Sequence, residues 1–502
     1  MNLNKTQTTE LTEHEKLIQA RNVAREKILK DKNEPEIEWL TDNSRKFLES
    51  GYLTGDTTPE ERIREIADNA ERILNKPGFS DKFYKYMAAG FFSLASPIWS
   101  NFGKKRGLPI SCFGSHVADD MGDILFSQSE VGMMSKLGGG TSGYFGKLRE
   151  RGADVKNNGS SSGSVHIMQL FEKMVDVVSQ GSVRRGRFSP YLPIDHPDIK
   201  EFLEIGTEGN PIQELTHGVT VGNDWMQEMI DGDVEKRSIW AKILQRRGEI
   251  GYPYILFRDN ANNGTVDVYK DKKHEIYASN LCTEIMLPSN DEWSFVCCLS
   301  SQNMLFFDDW KDTDATEVLT KFLYAVYEDF IAKAKDIPFM EKAVKFAREH
   351  KSIGVGLLGL HSYLQSKMIA FESLEAKMIS SRAAKHLNDH TLIASKELAK
   401  KFGEPKLLEG YGEMFTTRCA IAPTTSSSFI LGQVSPSIEL LQSNYFIKDL
   451  AKGKYTYKNP YLEKLLEEKG KNSLTTWRSI MKNTCAGKFD SELNKRIGLL
   501  KK

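Results

Sequence analysis

Between about residues 110 and 300 the chain alternates short apolar runs with helical stretches, and glycine-rich segments separate them. "HGVTVG" and "YPYILF" have the composition and length of strands, while "SVHIMQLFEKMVDVV" carries apolar residues at helical spacing. A chain that alternates in this way can bury its apolar faces only as a sheet covered by helices, which is an α/β core. The flanks differ. Residues 1 to about 110 read as mostly helical. In "TPEERIREIADNAERIL" Thr58, Pro59 and Glu61 supply an N-cap, a first-turn proline and a capping-box carboxylate. Ile63, Ile66, Ala67, Ala70, Ile73 and Leu74 follow on one face. The charged stretch from Glu13 to Lys32 is expected to be a helical arm. Helices return from about 313 to 402, interrupted by the glycine-dotted "SIGVGLLGLHSYL". "RCAIAPTTSSSFILG" reads as a strand running into a hydroxyl-rich turn, and "NPYLEKLLEEKG" as a capped helix.

Composition narrows the function classes. The 502 residues are 40% hydrophobic and 27% charged, with 68 Lys plus Arg against 68 Asp plus Glu. A net charge of zero argues against a nucleic-acid-binding surface. No apolar run has the length of a membrane span, and the N-terminus lacks a signal-peptide core. The expected location is the cytoplasm. The cysteines are Cys112, Cys282, Cys297, Cys298, Cys419 and Cys485, and they should be reduced there. They form no Cys-x-x-Cys pair and no metal-like cluster, so no metal site is expected.

Three constellations carry possible chemistry. In "SNLCTEI", read as extended chain, Asn280, Cys282 and Glu284 share one face; the alternative is a small buried cysteine with a rim charge. In "APTTSSSF", Pro423 precedes the hydroxyls of Thr424, Thr425, Ser426, Ser427 and Ser428, either an anion cradle or a turn with local side-chain bonds. "LGGGTSGYFGKLR" could let backbone approach a ligand, and "SQGSVRRG" puts Gln180, Arg184 and Arg185 on a loop suited to a phosphate or a base, or merely to solvent. Cys112, Cys282 and Cys297 stand on separate segments that could converge on one redox site.

Taken in order, "LPISC", "LGGGTSGYFGKLRERG", "SQGSVRRG", "SNLCTEIMLP", "VCCLSSQN", "SIGVGLLGLHSYL" and "AIAPTTSSSFILG" resemble the large catalytic subunit of ribonucleotide reductase, over roughly residues 80 to 460. The resemblance implies a ten-stranded α/β barrel of the thiyl-radical reductase type, with Cys282 at the tip of a central finger loop. It implies reduction of ribonucleoside diphosphates to deoxyribonucleotides. Cys282 would be the transient radical, Glu284 the base at the 3′-hydroxyl and Asn280 a ribose ligand. Cys112 and Cys297 would supply two electrons and end as a disulfide. Ser96, Ser111, Pro423 and the run Thr424, Thr425, Ser426 and Ser427 would hold substrate phosphates. Asp119 and Arg149 would contact an effector nucleotide, ATP or a deoxynucleoside triphosphate, and Gln180 and Arg184 would carry its signal to the substrate base. No cofactor would be bound directly. The radical would come from a separate metal-containing small subunit, and thioredoxin or glutaredoxin would be the reductant. A homodimer is expected. A cobalamin-dependent reductase and a non-catalytic nucleotide-binding chain are the alternatives.

The division expected from this reading is a helical region over 1–95 without a regulatory ATP-binding cone, an incomplete barrel over 96–483, and an unmatched polar tail over 484–502. The family continues into further strands, adjacent tyrosines and a tail with paired cysteines, and this sequence has neither a Tyr-Tyr nor a Cys-x-x-Cys. A second chain completing the barrel, an interrupted coding region and a truncation remain open as readings.

Overall fold

The computed structural model describes residues 36–483 apart from 157, 181–184 and 451–452, together with residue 23. The arm expected from Glu13 to Lys32, Arg184 and the tail from 484 lie outside the described residues, Val23 of the arm excepted.

The helical region comes first, with helices Asp42–Glu49, Pro59–Leu74 and Phe79–Ala88. The second begins with the full capping box that its sequence announces: Thr58 accepts from the Glu61 amide, and the Glu61 carboxylate accepts from the Thr58 amide. Ile63, Ile66, Ala67, Ala70 and Leu74 are buried along it. Each large apolar side chain there contributes about 1.5–3 kcal/mol.

Strands β1 (Phe92–Leu94), β2 (Cys112–His116), β3 (Gly140–Tyr144), β4 (Arg187–Pro193), β5 (Gly218–Val221), β6 (Tyr254–Phe257), β7 (Phe295–Asn303) and β8 (Ile353–Leu358) form one curled mixed sheet, a half-barrel. Strands β2 to β6 are successive parallel neighbours. Strand β7 returns antiparallel to β2 and β1, and β8 runs parallel to β7. A parallel bridge from Val355 to Cys419 extends the second side. The barrel-type α/β architecture is therefore built of two parallel sets that meet antiparallel at β2 and β7. A separate antiparallel pair, β9 (Tyr445–Leu450) and β10 (Gly453–Lys458), follows. Helices Met121–Lys136 and Ser164–Val177 cover the first set, and helix Ala315–Ala334 packs on the second. Among the described residues no helix is long and apolar enough to cross a membrane.

The glycine-rich stretch "GTSGY" is not a ligand loop but β3 itself, buried throughout. Its glycines make room for neighbours rather than for a bound molecule. A Cβ at Gly140 would come 2.8 Å from Leu281, and one at Gly143 would come 2.8 Å from Phe188. The first of these contacts lets the loop between β6 and β7 reach the sheet.

Candidate active site

The loop bearing Cys282 does not lie as an extended strand. An isolated antiparallel bridge joins Ser279 to Met286, and the chain between them turns. Thr283 N–H donates to the Asn280 carbonyl at 3.2 Å. Thr283 itself has φ of 66°, unusual for a β-branched residue and a local strain. The period-two face expected for Asn280, Cys282 and Glu284 is therefore replaced by a tight tip. Local hydrogen bonds outcompete extension because Asn280 is folded inward. Its Oδ1 accepts the amides of Glu284 at 3.0 Å and Ile285 at 3.1 Å. Ser279 donates to the Ile285 carbonyl at 2.7 Å. Tyr191 on β4, a residue that no motif signalled, donates to the Asn280 carbonyl at 2.9 Å, and its hydroxyl lies 2.7 Å from Thr283 Oγ1. Asn280 is buried and Cys282 exposed at the tip.

Of the three cysteines that could converge, two are brought together by the sheet. Cys112 and Cys297 are direct partners in the antiparallel register of β2 and β7. Opposed residues in such a ladder have Cα atoms about 4.5–5.5 Å apart, inside the range that a disulfide spans. Both are thiols here, Cys112 half-buried and Cys297 buried. Asn280 Nδ2 donates to Cys112 Sγ at 3.9 Å, which ties the loop to the pair. Burial pushes the Cys297 thiol well up, with the charges of Cys298 and Glu284 adding to it. Cys298 follows Cys297 on β7 and so points to the other face of the sheet.

Glu284 and Cys297 line one cavity of about 390 Å³, with Thr417 and Cys419 on its wall. Desolvation raises the Glu284 carboxyl above its ordinary value, and Glu284 Oε2 is buried without a protein partner. A carboxyl whose hold on a proton is strengthened by burial, lining one cavity with a thiol, is an arrangement for moving protons.

The hydroxyl run is the start of a short helix, Thr425–Ile430, with Thr424 in the left-handed region at φ 49°. Thr424 Oγ1 accepts from the Ser437 amide at 2.7 Å, and Ser93 donates to the Ser427 carbonyl at 2.9 Å. Pro423 precedes it, and Thr425 and Ser426 are its first two residues. Ser96 opens a second short helix, Ser96–Asn101, just after β1. The Ala95 amide donates to Ser300 on β7 at 3.4 Å. Ser300 is three residues along β7 from Cys297, about 10 Å at the strand rise. Ser111 directly precedes Cys112, and its carbonyl accepts from Gly140 N–H at 2.7 Å. The C-terminal carbonyls of the Ser96–Asn101 helix are held by cations that sequence reading missed. Buried Arg62 donates to Trp99, Ile98 and Phe102 at 2.8, 3.1 and 2.7 Å, and Lys333 donates to Asn101 at 2.7 Å.

The other candidates separate into two places. Asp119 and Arg149 lie beyond the C-terminal ends of β2 and β3 and pair with each other, Arg149 Nε to Asp119 Oδ2 at 2.8 Å. Gln180 lies at the opposite, N-terminal end, ahead of β4, where it donates to Asn101 at 3.3 Å. A strand's length, on the order of 15 Å, divides them. Helix Ser164–Val177 runs between the two ends.

Comparison with known proteins gives a consistent answer. The family model described as the ribonucleotide reductase barrel domain matches residues 110–234, 227–411 and 405–496, and the all-alpha domain model matches 38–107. A ribonucleoside-diphosphate reductase large subunit of Invertebrate iridescent virus 3 is 28% identical over 497 residues, covering 84% of this chain and 77% of that one. A vitamin B12-dependent ribonucleoside-diphosphate reductase of Thermoplasma acidophilum is 28% identical over 457 residues, covering 84% and 57% respectively. Among solved structures, the Actinobacillus ureae class Id ribonucleotide reductase alpha subunit superposes with a TM-score of 0.88 at 53% identity, covering 93% of this chain and 86% of its own. With the finger loop, the cysteine pair and the two-set sheet already in place, these matches identify the chain as a member of the ribonucleotide reductase large-subunit family.

Proposed function

We propose that the chain reduces ribonucleoside diphosphates at the 2′ position, with Cys282 as the radical-bearing residue. The observation that carries this reading is the finger-loop tip itself. It holds Cys282 exposed while Asn280 bonds both the loop backbone and Cys112, one partner of the Cys112–Cys297 pair. In this reading the Cys282 thiyl takes the 3′-hydrogen and Glu284 takes the 3′-hydroxyl proton. The 2′-hydroxyl leaves as water, Cys112 and Cys297 give up two electrons and two protons and become a disulfide, and Cys282 returns the hydrogen. Asn280 orients the ribose. Ser96, Ser111 and Thr424 to Ser427 hold the phosphates with their hydroxyls and the amides of two helix starts, and Pro423 lines the same place without donating.

Asp119 and Arg149 contact the effector, ATP or a deoxynucleoside triphosphate, and Gln180 and Arg184 relay its identity. The radical arrives from a separate metal-containing small subunit, a choice supported by the similarity to a class Id alpha subunit. Reductant is a thioredoxin- or glutaredoxin-type dithiol in the cytoplasm. The chain works as a homodimer. The test is turnover of cytidine diphosphate with a class I small subunit added. Product that depends on the small subunit and disappears in Cys282→Ser supports the reading. Product with adenosylcobalamin alone, or triphosphate binding without product under every condition, overturns it.

A further inference from the structure

Asn101 closes the short helix that Ser96 opens, and it is fully buried. Its side-chain amide is held from two sides. Nδ2 donates to the Leu108 carbonyl at 2.8 Å, and Oδ1 accepts from Gln180 Nε2 at 3.3 Å. The backbone beneath it is clamped by cations. Lys333 donates to the Asn101 carbonyl at 2.7 Å and Arg106 to the Ser100 carbonyl at 3.2 Å, beside the three carbonyls held by Arg62. Gly107 completes the seat from the left-handed region, at φ 57°. A Cβ there would lie 2.4 Å from Gln180 Nε2 and 2.7 Å from Asn101 Cγ, so its absence lets the two amides meet.

The seat is firm on the Asn101 side and loose on the Gln180 side. One bond of 3.3 Å holds Gln180, longer than the usual ~2.9 Å. Gln180 Oε1 is buried without a protein partner, a cost that any rearrangement giving it a donor would remove. An element held so weakly has a second arrangement within reach of a ligand's bias. Gln180 is also joined to the other end of the strands. It follows helix Ser164–Val177 after two intervening residues. At the start of that helix, Asp198 accepts from the Ser164 amide at 2.8 Å and from the Arg151 amide at 3.0 Å. Arg151 stands two residues past Arg149.

We propose that Asn101 is a positioning residue for substrate selection: it seats Gln180 against the helix that Ser96 opens, and a triphosphate at Asp119 and Arg149 changes diphosphate affinity by shifting Gln180 on or off that seat. The proposal rests on the reading of Ser96, Asp119, Arg149 and Gln180 given above. The differential contact that coupling requires is the Gln180–Asn101 bond, made in one state and absent in the other. Because the seat belongs to the helix whose start holds phosphate, the shift is felt at the phosphate end of the substrate as well as at its base.

The full-length protein is dialysed to equilibrium against cytidine diphosphate and against guanosine diphosphate, each with and without deoxythymidine triphosphate. In the wild type the triphosphate is expected to change the affinity for at least one diphosphate by about fivefold or more, the lower end of ordinary coupling. Asn101→Ala removes the seat. Gly107→Ala puts a methyl between the two amides while Asn101 stays in place, and it keeps the test open should Asn101→Ala fail to fold. In both variants the factor is expected to fall below about twofold, with triphosphate affinity at its wild-type value. A packing role alone would weaken diphosphate binding equally with and without triphosphate. A factor unchanged in both variants therefore overturns the seat and leaves the relay reading standing. A wild-type protein that binds the triphosphate and shows no change in either diphosphate affinity overturns both.

Discussion

Glu130 and Glu284 are both carboxyls withdrawn from water, and burial raises both. Glu130 sits on helix Met121–Lys136 and is pushed up to about 7. It accepts from Ser115 on β2 at 2.6 Å and from Ser294 at 2.8 Å, at the entrance to β7. It clamps the seam where the two strand sets meet. Glu284 sits on a strained loop and opens onto the cavity that Cys297 also lines. Each leaves one carboxyl oxygen without a protein partner. The difference is access. A raised carboxyl alone marks burial; beside a cavity and a thiol it marks a place where a proton can be exchanged with a substrate.

The largest expected effect lies at the loop tip. Cys282→Ser should abolish product formation, because a hydroxyl cannot take the place of the proposed thiyl, while triphosphate binding at the proposed Asp119–Arg149 site stays at its wild-type affinity. Measuring both on one preparation separates chemistry from folding. Next comes Glu284→Gln, which keeps shape and removes proton exchange. Turnover should fall by about 10²–10⁴-fold, the usual worth of a general acid–base group, with an unchanged melting temperature. Equal turnover in Glu284→Gln would place Glu284 with Glu130 as a structural carboxyl.

Glu130→Gln tests the other half of the comparison through pH. The folded-state value of Glu130 is raised from 4.5 to about 7, so between these values the native state binds a proton that the unfolded chain has released. Its contribution is therefore fully present at the acid end of that window and declines as pH rises through it. The wild type should lose on the order of a few kcal/mol relative to Glu130→Gln across the window. Urea unfolding of both proteins at a series of pH values reads this directly. Parallel curves would show that Glu130 is charged in the folded protein.

Much of this was legible in the sequence, and where it was not the reason is physical. The capping box at Thr58 depends on local spacing alone, whereas the pairing of Cys112 with Cys297 was implied only by the family resemblance, because residues that meet across two distant strands share no local pattern. The shape of the Cys282 loop did not follow from its residues, because alternation assumes extension and Asn280 instead satisfies two amides of its own turn. The stretch "LGGGTSGYFGKLR" suggests backbone open to a ligand, yet at Gly140 the group that needs the missing side chain is Leu281, 141 positions later in the chain. Arg62 and Tyr191 carried no signal at all. Each acts on a segment far away in sequence, through a carbonyl or a single hydroxyl, and such contacts leave no periodic trace.

Tyr191 carries the smallest and finest of the expected effects. Its hydroxyl touches both ends of the turn, the Asn280 carbonyl and Thr283 Oγ1, and Thr283 is the residue held at positive φ. A strained conformation persists only while neighbours over-determine it. Tyr191→Phe keeps the ring in the core beneath the loop and removes those two contacts alone. The cost in stability should be about 1 kcal/mol, the net worth of a buried hydrogen bond. Turnover should fall by up to about tenfold, since a tip that samples other turns presents Cys282 to the ribose only part of the time. Substrate affinity should be unchanged, because the hydroxyls proposed to hold the phosphates lie on the helix starts at Ser96 and Thr425. A variant that loses affinity but not turnover would mean that Tyr191 shapes the pocket rather than the loop. Glu130 would then be matched by a second purely structural group on the same sheet, and the catalytic loop would owe its conformation to Asn280 alone.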